Sequence, residues 1–284
     1  MRKTGFFAIV GRPNVGKSTL LNTILGEKVA IVSAKPQTTR NRITGIRTRG
    51  EEQFVFIDTP GIFRPRNKLG DYMVNNAEST MKDADTVILV VEAGREPGDV
   101  EKKVIDYLRS SGTSSVLAIN KVDLSDGEKV GKTIMSYAEL HSFDAVVPIC
   151  AKNGKKVDEL LDECSKFLTE SEWFFPDDTV TDQPERQIAA EVIREKLLRA
   201  LDREVPHGIA VVIEEFTDEG TLLRIRAEIF CEKASHKGII VGKNGETLKR
   251  VGTYAREDLE KMLGVKVYLN LWVKVKENWR DSAH

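Results

Sequence analysis

The residues with the clearest chemistry are Gly11-Arg12-Pro13-Asn14-Val15-Gly16-Lys17-Ser18, followed directly by Thr19. They match G-x-x-x-x-G-K-[ST]. In that loop the backbone N–H groups wrap a nucleotide's phosphates, the lysine reaches the terminal phosphates, and the hydroxyl holds Mg²⁺. Further on stands Asp58-Thr59-Pro60-Gly61. An aspartate beside a phosphate loop can hold the same ion through water, and the glycine N–H can donate to a terminal phosphate. A third group, Asn120-Lys121-Val122-Asp123, adds base chemistry. The Asp123 carboxylate can accept from the N1–H and N2 amino group of guanine, and adenine offers no such pair of donors, so GTP is favoured over ATP.

These groups work together only if the chain brings them to one edge. Residues 6–10 are an apolar run that reads as a buried strand, and 19–25, closed by Gly26, read as a helix whose N-terminus faces the phosphates. Residues 29–32 lead into a polar loop, 33–41, whose proline excludes a central strand. Residues 43–49 and 53–57 fit a hairpin across Gly50-Glu51-Glu52. Apolar runs at 87–91, 115–119 and 145–149 alternate with helical patterns near 100–109 and 157–168. This order predicts a mostly parallel sheet with helices on both faces and ligands at the strands' carboxyl ends, where every motif falls.

The 284 residues suggest two domains, and a formal net charge of −1 gives no global pull toward polyanions. Any contact with nucleic acid must therefore be local. The N-terminal residues have no apolar core of signal-peptide length and no run approaches a membrane span, so a cytosolic protein is expected. Cys150, Cys164 and Cys231 are widely spaced and support neither a disulfide frame nor a zinc site.

Past residue 171 the pattern changes. Residues 172–181 read as a linker and 182–284 as a second domain. Asp182 and Glu185 suggest a helix cap with Pro184 in the first turn, and Ile188, Val192, Leu198 and Leu201 suggest its apolar face. Strands are expected at 208–215 and 222–231, then a short helix, a glycine loop, a long helix to about 263, and a last strand at 265–275. Trp272, on the polar face of the last strand, is expected to pack under a helix rather than to stack on a base. The glycine loop is Gly242-Lys243-Asn244-Gly245, preceded by Lys237, Ile239 and Ile240 and followed by Lys249 and Arg250. A G-x-x-G turn between helices lets a phosphodiester backbone approach, and nearby cations outnumber Glu232 and Glu246. His236 reads equally as an RNA-facing donor or a helix-start residue.

The ordered motifs resemble the signature set of the translation-factor class of P-loop GTPases, over residues 4 to about 170. The αββααβ order around Gly242 to Gly245 resembles a KH domain. Joined on one chain, with Gln37-Thr38-Thr39-Arg40 between the first two motifs, they resemble the bacterial GTPases of the TrmE-Era-EngA-septin-like group that end in a KH domain. The expected fold class is thus an α/β P-loop GTPase domain, 1–171, followed by an α+β KH domain. The resemblance implies GTP or GDP with Mg²⁺, held by Asn14, Val15, Gly16, Lys17, Ser18, Thr19 and Gly61. Ser18 and Thr39 would bind the metal with Asp58 behind them, and Thr38 is the alternative ligand. Asn120, Lys121 and Asp123 would hold guanine, and the Ala151 N–H of Cys150-Ala151-Lys152 would meet its O6. Lys17, Thr39, Asn14 and Gly61 form the implied catalytic set.

Two departures stand out. Cys150 replaces the usual serine, and Ile62 stands where many GTPases carry a water-orienting glutamine. For Asn14 in this loop the resemblance implies K⁺ beside the phosphates, with a loop-shaping role as the alternative. Lys237, Ile239, Ile240, Gly242, Lys243, Asn244, Gly245, Lys249 and Arg250 would contact RNA. The implied function is a monomeric GTP-hydrolysing switch that binds small-subunit ribosomal RNA near its 3′ end in assembly of the 30S subunit. It would be cytoplasmic, with peripheral association at the inner membrane. The rivals are a regulatory GTPase acting on a protein or membrane, with the KH-like domain as docking module, and a constitutive RNA binder whose nucleotide is structural.

Overall fold

The computed structural model describes every residue except 34, 36, 37, 64, 66, 203, 204 and 282–284, and of 207 the backbone alone. Pro36 and Gln37 of the 33–41 loop, and Arg64 and Arg66 beyond Gly61, therefore lie outside the described residues. The chain divides into two compact units. One comprises Met1–Ala30, Thr39–Arg66 and Gly70–Asp182, the other Ile31–Thr38, Asn67–Leu69 and Gln183–His284.

The first unit runs β1 (Lys3–Val10), α1 (Lys17–Leu25), β2 (Ile43–Arg49), β3 (Glu52–Asp58), α2 (Lys68–Asp83), β4 (Thr86–Glu92), α3 (Asp99–Ser111), β5 (Ser114–Asn120), α4 (Gly127–Ala138), β6 (Ala145–Pro148), α5 (Val157–Ser165) and β7 (Thr169–Glu170). Helices α2 and α4 and strand β7 add to the elements expected from the sequence. The strand order is β2-β3-β1-β4-β5-β6, with β7 beside the start of β1. Only β2 and β7 run antiparallel to their neighbours. Strands β1, β4 and β5 are apolar without alternation because helices cover both faces. Two cores follow from this, one around Phe7, Phe54 and Phe56, the other around Val87, Leu89 and Leu117. The expected linker, 172–181, instead runs along this unit. Gln53 bonds the backbone of Phe174 and Phe175, the Trp173 indole N–H donates to the Glu51 carbonyl at 3.2 Å, and Ile46 N–H donates to Val180 O at 2.8 Å.

The second unit follows the expected order: α6 (Glu185–Ala200), β8 (Ile209–Asp218), β9 (Leu222–Cys231), α7 (Ala234–Val241), α8 (Glu246–Leu263) and β10 (Lys266–Val275). β9 is central, antiparallel to β8 and parallel to β10. Helix α6 begins with Pro184 at its N-cap and no side-chain cap, so the Asp182 cap does not form. Its buried stripe is Ala189, Val192, Ile193, Leu197 and Leu201, with Ile188 only partly buried. Alternation along β10 turns Val267, Leu269, Leu271 and Val273 toward the helices. The opposite face stays open, and Trp272, expected under a helix, is 58% exposed there.

Candidate functional site

Strand β1 ends at Val10, and the chain turns through the phosphate loop into α1. Gly16 takes a left-handed conformation (φ 103°) as the N-cap, and no side chain caps the helix. The first helical N–H groups are thus left to a ligand, with the helix dipole favouring an anion. Gly61 lies against this loop. A Cβ there would stand 2.6 Å from the Pro13 nitrogen, so only glycine lets the two segments touch. The Ile62 N–H donates to the Gly11 carbonyl at 3.0 Å, and the Ile62 side chain is turned into the core, away from any attacking water.

Three oxygens converge at the start of α1. Ser18 Oγ donates to Asp58 Oδ2 at 2.6 Å and lies 2.8 Å from Thr39 Oγ1. Asp58 is fully buried and its Oδ1 has no hydrogen-bond partner. Hydroxyls beside one orphaned carboxylate oxygen are the hard-oxygen donor set that suits Mg²⁺, which takes few protein ligands and completes its shell with water and phosphate. Thr38 does not share the cluster. Its hydroxyl donates to Lys35 O at 2.6 Å, and in the second unit its carbonyl accepts from Arg194.

Lys17 is 6% exposed, its ammonium held by the carbonyls of Arg12 (2.9 Å) and Gly11 (3.2 Å). Burial lowers its pKa to about 8 against the opposing pull of Asp58. Burial likewise raises Asp58 to about 6, with Lys17 and the Ser18 hydroxyl opposing.

At the carboxyl end of β5, Asn120 is a brace. Its Nδ2 donates to Val15 O at 2.8 Å and its Oδ1 accepts the Ala151 N–H at 2.9 Å, fastening the base-reading segments to the phosphate loop. The Ala151 N–H expected at guanine O6 is thus engaged by Asn120 here. Asp123 is exposed, which leaves its carboxylate accessible to a ligand, and Lys121 sits in a left-handed turn with its ammonium 3.3 Å from Glu92. Burial, then the Asp123 carboxylate, holds the Cys150 thiol above its ordinary range. Cysteine here can take serine's place beside Asp123. Asn14 is exposed with positive φ (64°), and Lys152 is exposed.

Sequence reasoning missed one part of this site. Arg12 ion-pairs at 2.5 Å with Glu101, whose carboxylate is nearly buried and also accepts the Gly98 N–H at 3.0 Å. The pair ties the loop to the first turn of α3. No sequence motif marks it, because the two residues are 89 apart.

In the second unit, Lys237, Ile239, Lys243, Asn244 and Lys249 are exposed, and Gly242 and Gly245 have positive φ. Asn244 also has positive φ (51°), and with Lys243 it stands exposed at the tip of the turn. Ile240, expected to face RNA, is fully buried in the core because helical spacing points it beneath α7. His236 lies in the first turn of α7, with Nδ1 buried and unpartnered. A groove of about 470 Å³ runs between α8 and β10, lined by Lys249, Thr253, Arg256, Tyr268 and Asn270 among others. Arg250 is not in it.

Residues 6–121 match the family described as 50S ribosome-binding GTPase, and 204–280 match the KH domain. GTPase Era of Clostridium kluyveri is 50% identical over 283 residues, covering 99% of this chain and 97% of that protein. The chain belongs to the Era GTPase family. An Era crystal structure in complex with MgGDPNP and nucleotides 1506–1542 of 16S ribosomal RNA superposes with a TM-score of 0.95 at 39% identity, covering 99% of this chain and 96% of that one. A tyrosine-to-alanine variant of Aquifex aeolicus Era bound to GDP and AlF₄⁻ gives 0.94 at 40% identity, covering 98% and 96%. As an Era-family member this chain is a GTPase with a C-terminal KH domain. No helix among its described residues is long and apolar enough to cross a membrane.

Proposed function

We propose that this chain is a GTP-hydrolysing switch that binds single-stranded ribosomal RNA near the 3′ end of the small subunit and acts in 30S assembly. The observation that carries the enzymatic half is the convergence of Ser18, Thr39 and Asp58 at the N-terminal end of α1. When bound there, Mg²⁺ would neutralise charge on the phosphates. Ser18 and Thr39 would be its hydroxyl ligands and Asp58 would orient them. Lys17 supplies a further cation, the Gly61 N–H a donor, and Asp123 the guanine acceptor. With Ile62 in the core, its side chain does not orient water, and Asn14 would place K⁺ as an added cation.

The RNA half is supported by the open Gly242 to Gly245 turn and the α8–β10 groove beside it. An Era relative is known in complex with nucleotides 1506–1542 of 16S ribosomal RNA, and the same segment is the probe here. The experiment is binding of that RNA to the full chain across a salt series, with hydrolysis of GTP followed in parallel. Strong, salt-dependent binding is expected. Weak, salt-independent binding with hydrolysis intact would instead make the KH domain a docking module. The setting is the cytoplasm; peripheral contact with the inner membrane is the finer reading, tested by cosedimentation with vesicles of inner-membrane lipid.

A further inference from the structure

Helix α8 has two working sides. At 100° per residue, Lys249, Thr253 and Arg256 face β10, while Arg250, Tyr254 and Asp258 face α6. Between α6 and α8 lies a second cavity, of about 520 Å³, lined by Lys196, Arg199, Arg250, Val251, Tyr254 and Asp258. Its charges are unevenly matched. Asp258 is taken up by Lys196, and the buried Glu195 by Arg199 at 3.0 Å and Lys196 at 3.5 Å. Arg250 is exposed and has no hydrogen bond or ion pair among the described residues. Among the described residues, Lys196 and Arg199 are thus engaged by carboxylates and the Arg250 guanidinium is not. Tyr254, one helical turn beyond Arg250, is 54% exposed and lines the same cavity.

A lone cation next to an exposed aromatic face, one turn apart, is the pairing that takes a phosphate and its stacked base in single-stranded nucleic acid. We infer that Arg250 and Tyr254, with the cavity behind them, form a second contact for the RNA strand, on the side of α8 away from the groove. Resting on the RNA reading above, this adds a subsite outside the roughly four nucleotides a KH groove holds. The path is short. Arg250 lies five residues past Gly245, about 7 to 8 Å along the helix, so a strand rounding the N-terminal end of α8 reaches it directly. The aromatic face selects a nucleotide over a free phosphate ion.

The test compares two probes on the full chain. One is the host's RNA segment corresponding to nucleotides 1506–1542. The other is a set of tetranucleotides tiled along it, from which the tightest is used. Arg250→Ala and Tyr254→Ala should each weaken the long RNA about tenfold and leave the tetranucleotide unchanged, whereas Lys249→Ala should weaken both. Arg250→Ala should also lower the salt slope for the long RNA by about 1. Tyr254→Phe, which keeps the stacking face, should bind like the parent chain. An unchanged affinity for the long RNA, or equal losses on both probes, would overturn the second contact while leaving the groove intact. If the parent chain binds neither probe, the RNA reading falls and this contact with it.

Discussion

Ser18 Oγ lies 2.6 Å from one oxygen of Asp58, whose other oxygen is buried without a partner. A carboxylate half satisfied and fully desolvated gains from a nearby cation, and the same burial raises its pKa.

Asp58 is raised to about 6 and Lys17 lowered to about 8, so both are charged only between those values. The metal requires the carboxylate ionised and the phosphates gain from the ammonium. Affinity for Mg²⁺ and GTP should therefore fall as pH drops below about 6, where a proton competes, and again above about 8, where Lys17 is neutral. The expected slope is about tenfold per pH unit beyond either edge. Calorimetry in buffers of differing ionisation enthalpy should show proton release on binding at the acid edge and uptake at the alkaline edge. Affinity that stays flat one unit outside both edges would contradict this account.

Gly61→Ala should push the phosphate loop away, since the added Cβ would meet the Pro13 backbone at 2.6 Å. A loss of about 1 to 3 kcal/mol in unfolding free energy and a larger loss of GTP turnover are expected. Denaturant titration and single-turnover kinetics check the two effects separately.

Asp123→Asn should move preference from GTP toward XTP, because the amide donates to xanthine O2 where the carboxylate accepted from guanine. Competition binding reads this directly. Unchanged GTP preference would remove Asp123 from the base site.

Intrinsic hydrolysis should be slow, and faster in potassium than in sodium buffer of equal ionic strength. Asn14→Ala should abolish that difference. Identical rates in the two salts, or a potassium effect that survives the substitution, would reduce Asn14 to shaping the loop.

The two activities should be coupled. Within the second unit, the Val32 N–H donates to Glu195 at 3.0 Å and Arg194 donates to the Thr38 carbonyl, so the chain just before Thr39 is held by α6. If RNA favours the GTP state, GTP must favour RNA by the same factor, roughly 5- to 150-fold for a coupling of about 1 to 3 kcal/mol. The measurement is the Kd of a non-hydrolysable GTP analogue with and without saturating RNA. Lys243→Asp, which puts a negative charge in the turn, is the control, and a substitution at Gly242 is unsuitable. A Cβ at Gly242 would stand 2.3 Å from Thr247 Oγ1 and break the turn, whereas Lys243 is exposed. Equal affinities would leave two independent modules.

The sequence alone determined the chemistry that rests on local spacing. Gly11 to Ser18, Asp58, Asp123 and the Gly242 to Gly245 turn are each legible as motifs of a few consecutive residues, and period-two and apolar runs mark the strands. Only the tertiary structure decided what depends on distant partners. It put Thr39 rather than Thr38 beside Ser18, because the Thr38 hydroxyl is turned onto Lys35 O. It made Asn120 a brace to Val15 and Ala151, and it paired Arg12 with Glu101. It buried Ile240 and exposed Trp272, reversing both expectations, since side-chain direction is settled by what packs on each face. It also split Lys249 from its neighbour Arg250, because one step along a helix turns a side chain by 100°.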